Sequence, residues 1–463
     1  MARITTLHLR HHGLMTSLPT SESAHQLAGP WAKFPSCSRS WPPLFSGFDP
    51  MNVRRLGSIE PPSARKIEAR RMNSIITTIT WHDLPSVMRN WINLPMDQLF
   101  TLPDEYQALR ESVRALADKK IAPFAKAVDE EARFPQEAFD ALQGAGLAAA
   151  HVPTEFGGDG ADALAVVIII EEVARACGSS SLIPAVNKLG SLPVMLAGSA
   201  EQKKRWLTAL AGGRGFSYCL SESDSGSDSI SMKTKAIRKD GKWVLNGSKK
   251  WISNAGFSDF YTVLAVTDPE KRSKGISAFV VEKSDKGVSF GAHEKKMGMR
   301  GSPTREVYFD DVLLDDDRLL GTEGEGFAIA MRTLDHTRIT IAAQALGLAQ
   351  GAFETATRYA KERKQFGKPI FDFQAIQFML ADMAMQIEAA RQLTYAAAAR
   401  SERGDSDLTF FSAASKCFAT DVAMQVTTDA VQVLGGYGYV NDHPVERMMR
   451  DAKLTQIYEG TNQ

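Results

Sequence analysis

The chain has 463 residues, long enough for two or three domains with real cores, and its 54 basic and 54 acidic side chains cancel. A zero balance gives no electrostatic pull toward nucleic acid or an anionic membrane surface. Four scattered cysteines (Cys37, Cys177, Cys219, Cys417) form no CxxC pair, which argues against a disulfide or thiolate-metal framework and fits a reducing compartment.

Residues 1–95 stand apart. They hold ten of the twenty prolines, four of the seven tryptophans, and eleven Lys/Arg against five Asp/Glu, with no sustained apolar period. Such a stretch does not readily bury a core. Its opening, MARITTLHLRHHGL, is basic and free of acids, as in a transit peptide. It reads either as a targeting leader or as sequence upstream of a true start at Met96, and the second reading is preferred.

Residues 96–213 read as an all-α domain. DEYQALRESVRALADKKIAPFAK has helical apolar spacing and an acidic first turn; FPQEAFDALQGAG opens on Pro and closes on Gly. GADALAVVIIIEEVARACG and SAEQKKRWLTALAGG follow, and the apolar run Ala163–Ile170 inside the former is too short to cross a bilayer. Over residues 214–321 the period becomes two. KAIRKDGKWVLNGSKKWISNAG carries two hairpin dipeptides, Asp240-Gly241 and Asn246-Gly247, and YTVLAVTD, GISAFVVEKSD and REVYFDDVLL read as further strands. With no βαβ alternation, this is an antiparallel, barrel-like β domain. Residues 322–463 return to long helices joined by short polar or Gly-containing links, the pattern of a four-helix bundle, with Met379, Met383 and Met385 read as core. The fold class is α+β, in the order α, β, α.

Gly324, Gly326, Gly435, Gly436 and Gly438 do not complete GxGxxG after a strand, so a dinucleotide fingerprint is disfavoured. GxxxxGK, HExxH and GxSxG are absent, and nothing suggests a metal site. The hydroxyl- and carboxylate-rich YCLSESDSGSDS entering the β domain is by composition a hydrophilic connector, although such residues also cradle phosphates or a planar heterocycle.

Six blocks in order, YCLSESDSGSD, KKWISNAG, MGMRGSPTREVYFDDV, TRYAKERKQFGKPI, QVLGGYGY and MRDAKLTQIYEGTNQ, resemble the acyl-CoA dehydrogenase family. The resemblance runs from Leu99 to Gln463. It implies FAD, an acyl-CoA thioester substrate oxidised at Cα and Cβ to a trans-2-enoyl thioester, an electron-transfer flavoprotein as acceptor, and a homotetramer.

It also implies roles. Glu459, in the Tyr-Glu-Gly-Thr turn, is the base for the Cα proton, and enclosure should raise its pKa. The backbone N–H of Glu459 holds the thioester carbonyl, with Tyr458 and Gly460 beside it. Tyr218, Leu220 and Ser221 match the strand along the isoalloxazine; Trp251, Ile252 and Ser253 match the segment covering the ring near N5. Arg363, Gln374, Gln432, Gly435 and Gly436 match positions reaching FAD across a subunit interface, with Arg363 on the pyrophosphate. Thr461 and Gln463 match residues closing over the dinucleotide. Ser227 matches a contact near CoA and the cofactor, and Asp335 and Arg338 match CoA contacts. Without the resemblance, Glu459 reads as a solvated residue beside a capping glycine, Trp251 as sheet core, and Arg338 as a surface ion-pair partner. In some relatives the base stands instead just before the arginine of LDHTR. Here that position is Thr337, so Glu459 has no competitor.

Three departures stand out. Ser223 and Asp224 replace the Pro-containing part of the usual Thr-Glu-Pro-x-Ala-Gly-Ser-Asp loop, which should loosen it. Phe373 replaces a frequent His beside Gln374. The chain ends at Gln463, where relatives continue, which suggests a truncated reading. Two alternatives remain: an acyl-CoA oxidase, which hands electrons to O2 and usually carries a further domain, and a non-catalytic flavoprotein-like scaffold, which would not need Glu459 beside a flavin. The expected location is a bacterial cytoplasm, or the mitochondrial matrix if the leader is a transit peptide.

Overall fold

The computed structural model describes residues 101–463, and the readings of residues 1–95 and of a start at Met96 lie outside them. Helix α1 (Asp104–Lys120) opens on Asp104 and Glu105 and closes on Lys119 and Lys120, charges that complement the helix dipole. Pro123 lies in a short 3-10 turn that separates α1 from α2 (Ala125–Glu130), and α3 (Gln136–Gly144) starts after Pro135. Asp162 caps α4 (Ala163–Ala176), its carboxylate accepting the Ala165 N–H at 2.7 Å. The next segment carries four serines and two prolines, yet it forms a 20-residue helix, α5 (Gly178–Ala197). Most of α5 is buried, so tertiary packing outweighs its poor local propensity. A Ser199–Gln202 capping box opens α6 (Ala200–Ala211).

The middle region is one sheet of β1 (Phe216–Cys219), β2 (Lys235–Lys239), β3 (Lys242–Ser253), β4 (Phe260–Val266), β5 (Ile276–Glu282), β6 (Val288–Phe290), β7 (Thr304–Leu314) and β8 (Leu319–Leu320). The order is β6-β7-β3-β2-β4-β5-β8, with β1 on β4. Most pairs are antiparallel, as the period-two pattern implies. However, β1 runs parallel to β4, and β2 meets β4 in parallel at Lys235 and Val266. The β2–β3 hairpin lies between β1 and β4 in the chain and supplies the long crossover that parallel pairing needs. Asp240 and Gly241, both at positive φ, make the β2–β3 turn. Asn246-Gly247 is not a turn. It lies inside β3 at a register shift against β7, where the Asn246 amide bonds Asp311 at 2.9 Å.

The last region is built on α7 (Gly326–Glu362), a 37-residue helix packed against α4, α5, α8 (Gln374–Arg403), α9 (Leu408–Leu434) and α11 (Val445–Thr455). A one-turn helix, α10 (Gly436–Tyr439), links α9 to α11. Met383 is core and Met379 packs on its edge, but Met385 is 65% exposed. Two residues turn a helix by about 200°, so Met383 and Met385 cannot share a face. Two buried carboxylates lock α4 to its neighbours. Glu171 accepts from Arg391 at 2.9 Å and Tyr395 at 2.7 Å, and Glu172 from Arg114 at 2.8 Å and Arg175 at 3.2 Å.

Helix α5 lies directly behind β1. Gly190 allows this approach, since a Cβ there would come within 2.9 Å of the Ser217 backbone. Thr262 Oγ1 donates to Gly190 O at 2.7 Å, and Phe216 N–H to Asn187 Oδ1 at 3.1 Å. Among the described residues no helix is long and apolar enough to cross a membrane.

Candidate active site

The chain leaves α11 and passes through two consecutive left-handed residues, Glu459 at φ +52° and Gly460 at φ +100°. Glycine adopts this conformation freely; for a glutamate it costs about 1 kcal/mol or more. Surrounding bonds hold it there. Arg338 Nε donates to Glu459 O at 3.0 Å, Lys416 Nζ to Gly460 O at 2.5 Å, and Asn462 N–H to Gln456 O at 3.1 Å. The Asn462 amide reaches Thr420 Oγ1 and Asp421 Oδ1, each at 2.8 Å, and accepts from Lys416 at 2.9 Å. Tyr458 is tied through its hydroxyl to Gln344, which in turn bonds Ser181 of α5 at 2.8 Å.

The Glu459 carboxylate points back to α7, where Thr337 Oγ1 donates to it at 2.7 Å. The surrounding protein pushes its pKa up to about 7. Desolvation outweighs the Thr337 hydrogen bond and the Arg338 and Lys416 charges, which favour ionisation. The backbone N–H of Glu459 has no acceptor among the described residues. Tyr218, on β1, has a buried hydroxyl without a partner among the described residues. Burial raises its pKa and the Glu459 charge raises it further, so the Glu459 turn and β1 lie within electrostatic reach.

β3 shifts register between Lys249 and Ile252, and the irregularity puts Trp251 at φ +59° with its side chain 53% exposed. Ile252 turns inward and is core, leaving only its backbone for a ligand. The hydroxyls of Ser221 and Ser253 have no partner among the described residues. Beneath them Lys249, fully buried, bonds Leu220 O at 3.1 Å and Glu222 Oε1 at 2.8 Å. Glu222 also accepts the N–H groups of Lys233 at 2.6 Å and Thr234 at 3.0 Å. Burial raises the Glu222 carboxyl, but Lys249 and these amides hold it below the usual range. With Ser225 Oγ donating to Asp228 O at 2.7 Å, they anchor the loop that lacks proline and carries the exposed Ser227.

Arg363, Gly435 and Gly436 line a concavity of about 560 Å³ at one end of the bundle. Arg363 is exposed, forms no ion pair among the described residues and stacks over Tyr437 at 5.3 Å. A Cβ at Gly435 or Gly436 would meet nothing within 4 Å. Gln374 and Gln432 are exposed where α8 begins and α9 ends. Among the described residues no hydrogen bond or ion pair joins this group to Tyr218, Leu220, Trp251 or Ser253. Asp335 accepts from Thr409 at 2.9 Å and lies 3.9 Å from Arg338. Thr461 and Gln463 are exposed. A separate charged concavity of about 570 Å³, lined by Asp129, Arg175, Arg447 and Arg450, holds none of these residues.

Several residues at the site escape a reading of the sequence: the Lys249–Glu222 pair, the donor role of Thr337, and the Lys416–Asn462 staple. The one local signal is a lysine flanked by small and apolar residues in SAASKCFA.

Sequence profiles for the acyl-CoA dehydrogenase N-terminal, middle and C-terminal domains match residues 103–214, 217–312 and 324–463. The probable acyl-CoA dehydrogenase fadE25 of Mycobacterium leprae is 59% identical over 377 residues, 81% of this chain and 97% of that protein. Butyryl-CoA dehydrogenase from Megasphaera elsdenii superposes with a TM-score of 0.76 at 42% identity, covering 78% of this chain and 96% of that one. An acyl-CoA dehydrogenase complexed with FAD from Bacillus anthracis gives a TM-score of 0.74 at 33% identity, over 80% of this chain and 67% of that one. The α-β-α order of domains accords with these matches, and the chain belongs to the acyl-CoA dehydrogenase family.

Proposed function

We propose that the protein uses FAD to dehydrogenate acyl-CoA thioesters to trans-2-enoyl thioesters, with Glu459 as the base. The observation that carries this reading is the Glu459 carboxylate itself. It sits on a strained, over-determined turn, its pKa is near 7, and it is within electrostatic reach of β1. A base with that pKa is substantially ionised at neutral pH yet basic enough to accept a proton. The free N–H of Glu459 is available to the thioester carbonyl, which would acidify Cα as the proton leaves. Arg338 and Asp335, beside the turn, suit the CoA portion.

The residues present fit FAD. An exposed indole and unpartnered hydroxyls of Ser221 and Ser253 would meet the ring, Leu220 would lie along it, and the orphan Tyr218 hydroxyl is close by. Arg363 and the open Gly435–Gly436 backbone would meet a pyrophosphate, with Gln374, Gln432, Thr461 and Gln463 as further contacts. FAD supplies the acceptor for the hydride from Cβ. The exposed Arg363 and the open Gly435–Gly436 backbone beside it support a cofactor site shared between copies of the chain. Exposed Phe378, Met385, Phe410 and Phe418 on α8 and α9 support further assembly as a homotetramer. An electron-transfer flavoprotein is the proposed acceptor.

Anaerobic addition of an acyl-CoA to the yellow protein should bleach the flavin. Glu459→Gln should keep FAD and thioester binding and lose nearly all bleaching; unchanged bleaching would remove Glu459 from the mechanism. Rapid reoxidation by O2 with product bound would favour the oxidase, and a colourless protein with full thioester affinity the scaffold.

A further inference from the structure

Lys416 lies on α9 and is 3% exposed. Among the described residues its ammonium bonds only to oxygens of the Glu459 turn, Gly460 O at 2.5 Å and Asn462 Oδ1 at 2.9 Å. It forms no ion pair among the described residues. Burying a cation against neutral oxygens is costly, and an apolar side chain of similar length would fill the space without that penalty. The feature therefore calls for a function that an apolar residue would not serve.

We propose, on the reading of Glu459 as the base, that Lys416 is its positioning residue. From α9 it holds the Glu459–Gly460 turn in its left-handed form, and its charge favours the ionised form of the nearby carboxylate. Arg338 grips the same turn from α7 through Glu459 O, so the base is clamped between two helices. The charged and titratable groups around Lys416 are Glu459, Cys417, Arg338 and Asp421. Those around Glu459 are Arg338 and Lys416, with Thr337 bonded to it and Tyr218 and Tyr458 beside it. Burial lowers Lys416 to about 8, the Glu459 carboxylate opposing the shift, so the ammonium is charged at neutral pH. Its influence on the carboxylate thus operates where the enzyme would work.

The test uses the FAD-loaded full chain and compares Lys416→Met and Lys416→Arg with wild type. Two readouts are taken against pH: kcat/KM for acyl-CoA-dependent dye reduction, and the infrared carboxyl band that Glu459→Gln abolishes. Loss of a nearby opposite charge should move the acid limb and the band upward by about one unit in Lys416→Met. At pH 6 the rate should then fall about tenfold further than at pH 9. Lys416→Arg should return both toward wild type. Where Lys416→Met does not fold, Lys416→Gln keeps a donor without the charge and should show the same shift. A limb and band that stay in place, or an equal loss at every pH, would overturn the proposal. If Glu459→Gln keeps turnover, the base reading fails on its own, while the band still reports whether Lys416 governs Glu459.

Discussion

Thr337→Val isolates one bond of the site. Valine has nearly the shape of threonine, so packing on α7 should survive while the 2.7 Å hydrogen bond to Glu459 Oε2 is lost. A hydrogen bond to a charged group is worth about 1.5 to 3 kcal/mol when fully buried. Glu459 is only half-buried and water can replace part of the bond, so a loss of about 1.4 kcal/mol, or about one pKa unit, is expected. The bond favours the ionised form, so its removal raises a pKa already near 7 to about 8. At pH 6 the ionised fraction falls from roughly 10% to roughly 1%, and at pH 9 it changes by only about 10%. The assay is kcat/KM for anaerobic flavin bleaching between pH 5.5 and about 9, which reports groups of the free enzyme. An acid limb that does not move, or moves down, would refute the assignment of Thr337 as a donor to an ionised base.

Other consequences follow from the same geometry. Because the folded pKa of Glu459 lies above the usual carboxyl value of 4.5, its protonated form favours folding at low pH, and this contribution is lost as pH rises through about 7. Glu459→Gln should therefore raise stability by about 1 to 3 kcal/mol at pH 8 and hardly at all near pH 4, as read by denaturant unfolding. Lys249→Met leaves the 6% exposed Glu222 as a buried unpaired carboxylate and should cost about 3 to 5 kcal/mol, with partial recovery when Glu222→Gln is added. If the double variant is no better than the single, the pair is not what anchors the loop. Arg363→Ala removes an exposed guanidinium that forms no ion pair among the described residues, so thermal stability should hold while FAD affinity falls about tenfold or more by equilibrium titration. Undiminished affinity would place the pyrophosphate elsewhere.

The three-region order was legible because each region writes its own period, and long elements such as α7, α8, α9, β4, β5 and β7 lie where their patterns place them. Local signals failed where tertiary packing opposes them. α5 carries Pro184, Pro193 and a serine run, and only its burial against α4, α7 and β1 makes it a helix. Asn246-Gly247 has turn chemistry, but β7 continues past it and turns it into a bulge. The parallel placement of β1 on β4 is likewise a long-range pairing that period two does not encode.

For the site, the ordered blocks identified Glu459 and drew attention to Trp251, Arg363 and Arg338, because these residues occur in short recurring strings. They did not reveal what conditions those residues. Thr337, Lys416 and Asn462 meet Glu459 from α7, α9 and the chain end. Glu222 meets Lys249 across a gap in sequence that no local motif spans. Periodicity and the ordered blocks were enough to give the kind of fold and the carboxylate to watch. That carboxylate's backbone conformation, its partners and its pKa depend on folding, because burial and electrostatic fields arise from groups that become neighbours only in the folded chain.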